Sequence, residues 1–460
     1  MSFLSAKELR DGTVALPLQP LDEGELQEWK KSTSASARKW VDAAGFKAAP
    51  GQSCAVPGED GGPRCWLSGR EKEGWLYQLA ALPAMLPDGA YRLDCDWTRE
   101  QRLQASIGWG LASYRFERYK ANGRPCPALL LEPDIEHEVR DICAAQHLVR
   151  DLVNTPTEHM GPEQLADAVT GQADEFGAAA SAVTGDELLT GNFPSIHAVG
   201  RASTRPPRLL ELNWGDEEAP RLALVGKGVC FDTGGLDLKT SSGMALMKKD
   251  MGGAAHALAL ARLVMSYRLP VRLQLLIPAV ENSVAGNAYR PGDVIVSRKG
   301  LSVEIGNTDA EGRVVLADAL AYACEHNPDL VIDFATLTGA ARIALGADLP
   351  PLFSNRIEVA RDIQQAGDEA EDPLWTMPLY QPYRKQIESP LADLNNSSKS
   401  SFGGCITAAL FLESFVQPEI PWVHIDTFAW NEANRPGRPA GGEALGLRAV
   451  FRYLQRRYGQ

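Results

Sequence analysis

The chain is poor in cysteine: eight thiols are scattered through 460 residues, and no Cys-x-x-Cys pair occurs. That spacing argues against a disulfide framework and against a Cys-rich structural zinc site, and it fits reduced thiols inside a cell. Long apolar runs are lacking too; none approaches the roughly 18 consecutive residues that a membrane span requires. The first ten residues carry charge early and hold no apolar h-region, so no secretory signal is expected. Basic residues are in deficit, 46 Lys and Arg against 59 Asp and Glu, for a net charge of −13. Such a balance disfavours nonspecific binding to nucleic acid or to anionic membrane surfaces. No internal repeat is evident, and the phosphate-loop pattern Gly-x-x-x-x-Gly-Lys-Ser/Thr is missing, although Gly226-Lys227-Gly228 follows an apolar run as such a loop would. The expectation is a cytoplasmic protein.

What is present is the composition of a globular chain with a sizeable core, 44% hydrophobic and 23% charged, long enough for two or more domains. Residues 1–133 mix short apolar runs with Gly/Pro punctuation. Helical spacing is expected over 76–86, broken at Pro83, and over 101–119, with a short strand over 128–131. No motif in this segment carries chemistry. Between 135 and 153, Ile135, Val139, Ile142, Ala145, Leu148 and Leu152 recur at helical spacing, which predicts a helix joining two domains. Beyond it, apolar strands over 222–225, 271–277 and 330–334 alternate with helices over 253–267, 314–324 and 406–415. The pattern predicts an α/β protein. A smaller α/β domain spans 1–133 and a linker helix 134–157. A catalytic domain over 158–460 has a mainly parallel central sheet flanked by helices.

Acids and lysines cluster among glycines at the ends of the apolar strands. Lys227 and Asp232 lie in the stretch after residue 225, followed by Lys239, then Met247-Lys248-Lys249-Asp250, then Asn307-Thr308-Asp309-Ala310-Glu311-Gly312-Arg313. Carboxylates beside a core need compensation, and a divalent cation compensates several at once. Two ions close together polarise a substrate oxygen and lower the pKa of a shared water, giving a hydroxide without a Ser or Cys nucleophile. Lys239 and Arg313 add positive charge for an oxyanion or a small anion. By residue type the simpler role for Lys227 is a salt bridge, because a lysine ligates metal only when deprotonated. His256 and His424 read as packed histidines.

Together these residues resemble the leucyl aminopeptidase family, the dizinc M17 exopeptidases. The run from Asn307 to Arg313 matches that family's signature octapeptide up to its last position, where Val314 is a conservative variant. The likeness extends over Val225 to Gly235, Met247 to Ala255, Arg290-Pro291-Gly292-Asp293 and Ala335-Thr336-Leu337-Thr338-Gly339-Ala340. It implies an aminopeptidase acting on peptides, with two divalent metals (Zn, Mn or Co). Asp232 and Glu311 would bridge them, Asp309 would complete the more exchangeable site, and Lys227 with Asp250 the tighter one. It further implies that Lys239 polarises the scissile carbonyl and that Arg313 holds a bicarbonate supported by the Leu337 backbone. Asn307, Thr336 and Gly339 would help bind the substrate, Met247 would line the pocket for the first side chain, and six chains would assemble as a dimer of trimers.

Two departures stand out. The family commonly has Ile-Ala-Gly after Asp426, where this chain has Thr427-Phe428-Ala429, so the first-residue pocket is expected to be crowded by Phe428. The polar run from Asn395 to Gly404 carries more Ser and Lys than usual. A two-metal phosphohydrolase and a hexameric scaffold or nucleic-acid-binding regulator are the competing readings.

Overall fold

A strand whose side chains are apolar on both faces must be covered on both faces. Leu222, Ala223, Leu224 and Val225 are such a run, and all four are buried. The computed structural model describes residues 2–9, 14–121, 123 and 126–459. Their strand, Arg221–Gly226, lies between Leu330–Ala335 and Arg272–Asn282, parallel to both. Trp422–Asp426 continues the parallel order beyond Leu330–Ala335, and the short Gly228–Asp232 pairs parallel with the end of Arg272–Asn282. Antiparallel strands close both sides of this nine-stranded sheet.

Strand alternation sorts the central side chains onto two faces. Ala223, Val225, Leu276 and Val280 share one core cluster with Val315, Leu316 and Leu320 of the helix Glu311–Glu325. The helix Gly252–Ser266 packs on Arg221–Gly226 and Leu330–Ala335 and is buried almost all round. It approaches so closely that a Cβ on Gly253 would stand 2.2 Å from the Phe334 carbonyl oxygen, so only glycine fits there.

The chain divides into two compact units, one of residues up to His147 with Ala433–Ala440, the other of Leu148–Glu432 with the rest of the C-terminus. The division falls inside the helix Glu136–Asn154, which matches the helical spacing expected over 135–153. The first unit carries its own six-stranded sheet, parallel except for the edge pair of Ser53–Pro57 with Pro63–Gly69. Leu26, Val41, Val56 and Leu67 belong to its core. Its helix Glu23–Ser32 starts at a capping box of Asp22 and Glu25, and Arg70 binds both acids.

Two expected elements differ. The helix over 76–86 is mostly turn, and only Leu82–Met85 is helical. Pro83 opens that helix instead of breaking it, because a proline in the first turn has no N–H to leave unpaired. The helix expected over 101–119 runs over Arg99–Ser113 and stops where Tyr114 turns extended. The strand expected over 271–277 continues to Asn282, with polar Glu281 and Asn282 at its carboxyl end.

Candidate metal centre

The carboxyl ends of parallel strands are where open α/β sheets place ligands. Lys227 follows Arg221–Gly226 directly and donates its N–H to the Phe334 carbonyl at 3.0 Å. Asp232 ends Gly228–Asp232, and its Oδ1 accepts from Gly234 N and from Asn282 Nδ2, both at 2.8 Å. Thr336 leaves Leu330–Ala335 and donates through Oγ1 to Asp250 Oδ1 at 2.9 Å. Asp250 itself sits in the 3-10 turn Met247–Met251. Glu311 is the first residue of Glu311–Glu325, where the positive end of the helix dipole favours an acid. The glycine after it gives the motif its spacing. A Cβ on Gly312 would stand 2.6 Å from Lys227 Cε, so glycine makes the channel for that lysine.

These segments bring Lys227 Nζ to 2.8 Å from Asp250 Oδ2 and 2.9 Å from Glu311 Oε1. Lys227 therefore makes the salt bridge that its residue type suggests. Lys239 Nζ lies 2.8 Å from Asp232 Oδ2 and also contacts Asp309 Oδ1. Lys227, Asp232, Asp250 and Glu311 are between 1% and 3% exposed, so water solvates none of them. Four acids meet two lysines directly, and the crowding shows in two of the acids, whereas at Asp250 burial is outweighed by Lys227 and Lys249, which hold it below the usual carboxylate range. Burial, then Asp250, pushes Asp232 above the usual carboxylate range. Burial, then Asp232, does the same to Glu311 more strongly. Burial pulls Lys227 down, but Asp250, Glu311 and Asp232 outweigh it and hold the ammonium above its ordinary value.

The residues fit a divalent cation. Oxygens of Asp232, Asp309 and Glu311 lie within 4.8 Å of one another. Glu311 Oε2 is buried without a hydrogen-bond partner among the described residues. A hard oxygen-rich donor set with charge left over suits such an ion better than any further side chain present.

A cleft of about 330 Å³ takes in every site residue expected from the sequence: Lys227, Asp232, Lys239, Met247, Asp250, Asn307, Asp309, Glu311, Arg313, Thr336, Leu337 and Gly339. Phe428 lines it as well and is buried. Asn307 Oδ1 accepts from the Asp309 amide at 2.8 Å, which fixes the turn that presents Asp309. Arg313 donates from Nη1 to the Asn396 carbonyl at 2.9 Å, while its Nε is buried without a partner among the described residues. Burial lowers the Arg313 pKa to about 10. The Leu337 amide is engaged with Asp426 Oδ1 at 2.9 Å, so an anion in this corner meets Arg313 first.

Several contributors escaped the sequence reading. Asn282 orients Asp232 and also donates to the Thr308 carbonyl at 3.0 Å. Its place at a strand's carboxyl end was the available signal. Asn396 clamps the signature segment, accepting from the Gly306 and Asn307 amides at 2.8 and 3.2 Å. Asp426 accepts from Thr338 Oγ1 at 2.7 Å and holds the Thr336–Gly339 loop. Both histidines are packed. His256 Nε2 accepts from the Leu445 amide at 3.0 Å, and His424 Nδ1 lies 2.6 Å from Asp333 Oδ1.

The profile of the cytosol aminopeptidase family, catalytic domain, matches residues 147–451. That of the M17 aminopeptidase N-terminal domain matches residues 16–132, a stretch in which the sequence reading found no signature. A probable cytosol aminopeptidase of Syntrophotalea carbinolica is 43% identical over 375 residues, 77% of this chain and 75% of the relative. The crystal structure of a cytosol aminopeptidase from Coxiella burnetii superposes with a TM-score of 0.95 at 49% identity, covering 99% of each chain. The bottromycin maturation enzyme BotP in complex with Mn has a TM-score of 0.87 at 32% identity, covering 96% of this chain and 99% of its own. The chain belongs to the cytosol aminopeptidase (M17) family.

Proposed function

We propose that this protein releases N-terminal amino acids from peptides, with Lys227, Asp232, Asp250, Asp309 and Glu311 holding two divalent metals. The observation that carries this reading is the surplus of buried carboxylate around Glu311, in a cleft that contains every residue the family likeness implicates. Asp232 and Glu311 would bridge the two ions. Asp309 has the most exposed side chain of the four acids, 33% against 5% or less for the others, which supports its place at the more exchangeable ion. Lys227 and Asp250 would hold the tighter one, and Lys227 would have to give up a proton as the metal enters. When bound, the metals would supply Lewis-acid polarisation and a water acidic enough to ionise near neutral pH.

The chain's own groups do the rest. Lys239, released from Asp232 and Asp309, offers its ammonium to the negative charge that grows on the scissile carbonyl oxygen. Arg313 has a guanidinium edge to spare and would hold bicarbonate, the base for the attacking water's proton. Met247, Asn307, Thr336, Leu337 and Gly339 would seat the first residue of the peptide. The substrate's α-amine would sit beside Lys227 and Asp250, which would confine cleavage to the first bond. The family likeness supports a cytoplasmic homohexamer, and sedimentation at six times the chain mass is the check.

The test is a panel of aminoacyl amides assayed with metal-free protein before and after addition of Zn, Mn or Co. Release of free amino acid only after metal addition is expected. Full activity without metal, or phosphate-ester cleavage in its place, would overturn the reading.

A further inference from the structure

A lysine that is buried without a partner is costly, and it persists where something else rewards it. Lys249 is such a lysine. It is 5% exposed, and its ammonium makes no hydrogen bond or ion pair among the described residues. The acids nearby are committed elsewhere. Asp250 is taken by Lys227 and Thr336, and Asp426 by the Leu337 and Thr338 amides and the Thr338 hydroxyl.

What the ammonium does meet is an aromatic face: Lys249 Nζ lies 4.9 Å from the centre of the Phe428 ring. A second cation uses the same ring, with Arg342 Cζ 4.3 Å from that centre. Two cations on one phenyl ring repel one another, and the ring's quadrupole does not cancel a full charge, so the ring positions them more than it neutralises them. All three side chains line the cleft, together with Met247 and Gly339. Arg342 Nη2 lies 3.7 Å from where a Cβ on Gly339 would stand, so the guanidinium reaches over the loop that seats the substrate. Phe428 fills the position where the family commonly carries alanine. The ring and its two cations therefore line the same cleft as Met247, the residue expected to meet the first side chain.

We propose that this cleft selects peptides beginning with an acidic residue, glutamate or aspartate, whose side-chain carboxylate docks between Lys249 and Arg342. The proposal rests on the aminopeptidase reading of the site and names its substrate class. Arg342 supplies a planar fork for the two carboxylate oxygens, and Lys249 a compact point charge. Lys249 is the stronger determinant because it is buried, whereas Arg342 is exposed and partly screened by water. A carboxylate arriving there gives Lys249 the partner that the chain itself withholds.

The test compares Glu-, Asp-, Gln- and Leu-amides on the metal-loaded protein. These substrates have no C-terminal carboxylate, so any preference reports the first side chain. Glu-amide is expected to exceed Gln-amide in kcat/KM by about tenfold or more, the scale of one charge-assisted hydrogen bond. Lys249→Met should bring that ratio to about one, Lys249→Arg should retain most of it, and Arg342→Gln should lower it by a smaller factor. A calorimetric titration with L-glutamate and L-glutamine reads the same preference without turnover. Glutamate should bind about tenfold tighter to the wild type and no tighter to Lys249→Met. Equal or better performance of glutamine in both measurements, or an unchanged ratio in Lys249→Met, would overturn the proposal. If no amide is cleaved, the aminopeptidase reading fails, and the titration still decides whether this corner recognises an acidic side chain.

Discussion

The C-terminal unit buries two kinds of polar cluster, and they differ in whether they are closed. Asp318 sits in the middle of Glu311–Glu325 and accepts from Ser195 N at 2.7 Å, Ser195 Oγ at 2.9 Å and Arg298 N at 2.8 Å. That cluster ties a loop to a helix and uses up its donors on one carboxylate. Seven residues earlier on the same helix, Glu311 keeps Oε2 without a partner, and Arg313 keeps Nε. Closed clusters hold the fold together; open ones keep bonding capacity for something that arrives.

Substitution should therefore separate activity from stability. Glu311→Gln is expected to remove amide hydrolysis below detection while leaving the melting temperature of metal-free protein unchanged or higher, since a crowded negative charge is relieved. Lys239→Met should cost about 10²–10³-fold in kcat, the scale of a lost oxyanion donor. Asp318→Asn should do the reverse. It turns an acceptor into a donor facing backbone N–H groups, at about 1–3 kcal/mol of stability by denaturant melts, with kcat per folded molecule preserved. Strong inactivation by Asp318→Asn in folded protein would erase the distinction.

Metal addition sharpens the same contrast. At a hundredfold excess over Kd, a divalent ion should stabilise the wild type by about 2.7 kcal/mol, read as a rise in melting temperature. Asp318→Asn should keep that rise, and Glu311→Gln should lose most of it.

A smaller effect concerns His424. Burial lowers its pKa, but Asp333 outweighs that and holds it above the ordinary value. The pair's stabilisation is then complete below the unfolded histidine pKa of about 6.5 and is lost as pH rises through the higher folded value. The melting temperature should decline on the alkaline side, and His424→Gln should flatten that slope. Smallest is Ala429, which holds φ at +55°, a left-handed conformation, where the family commonly has glycine. Ala429→Gly should gain about 1 kcal/mol in the same melts.

Much of the core was legible because fully apolar strands such as Leu222 to Val225 have few other places to go. The strand over Arg272–Asn282 was read too short, because Pro278 punctuates a run that stays apolar through Ala279 and Val280; of the polar pair that ends it, Asn282 orients Asp232, while Glu281 binds Ser203 and Arg205. The acids that the structure brings together were legible as a set through the signature around Glu311, yet their spacing alone reached only a metal or ion-pair site. Asn282, Asn396 and Asp426 were hidden. Each acts on a partner 50 or more residues away, which local spacing does not reveal; Asn282 alone carried a positional signal, at a strand's carboxyl end. Phe428 was noticed as a departure, but its two cations come from Lys249 and Arg342, which only folding brings together.

The most direct single measurement is a titration of metal-free protein with Mn²⁺, following bound metal and the hydrolysis of both glutamyl- and leucyl-amide in the same samples. Two ions per chain are expected, with activity appearing as the second one fills. Hydrolysis at full rate before any metal binds, or no metal bound at saturating Mn²⁺, would contradict a metal centre built on Asp232, Asp250, Asp309 and Glu311, and saturation without any gain in activity would contradict its hydrolytic role.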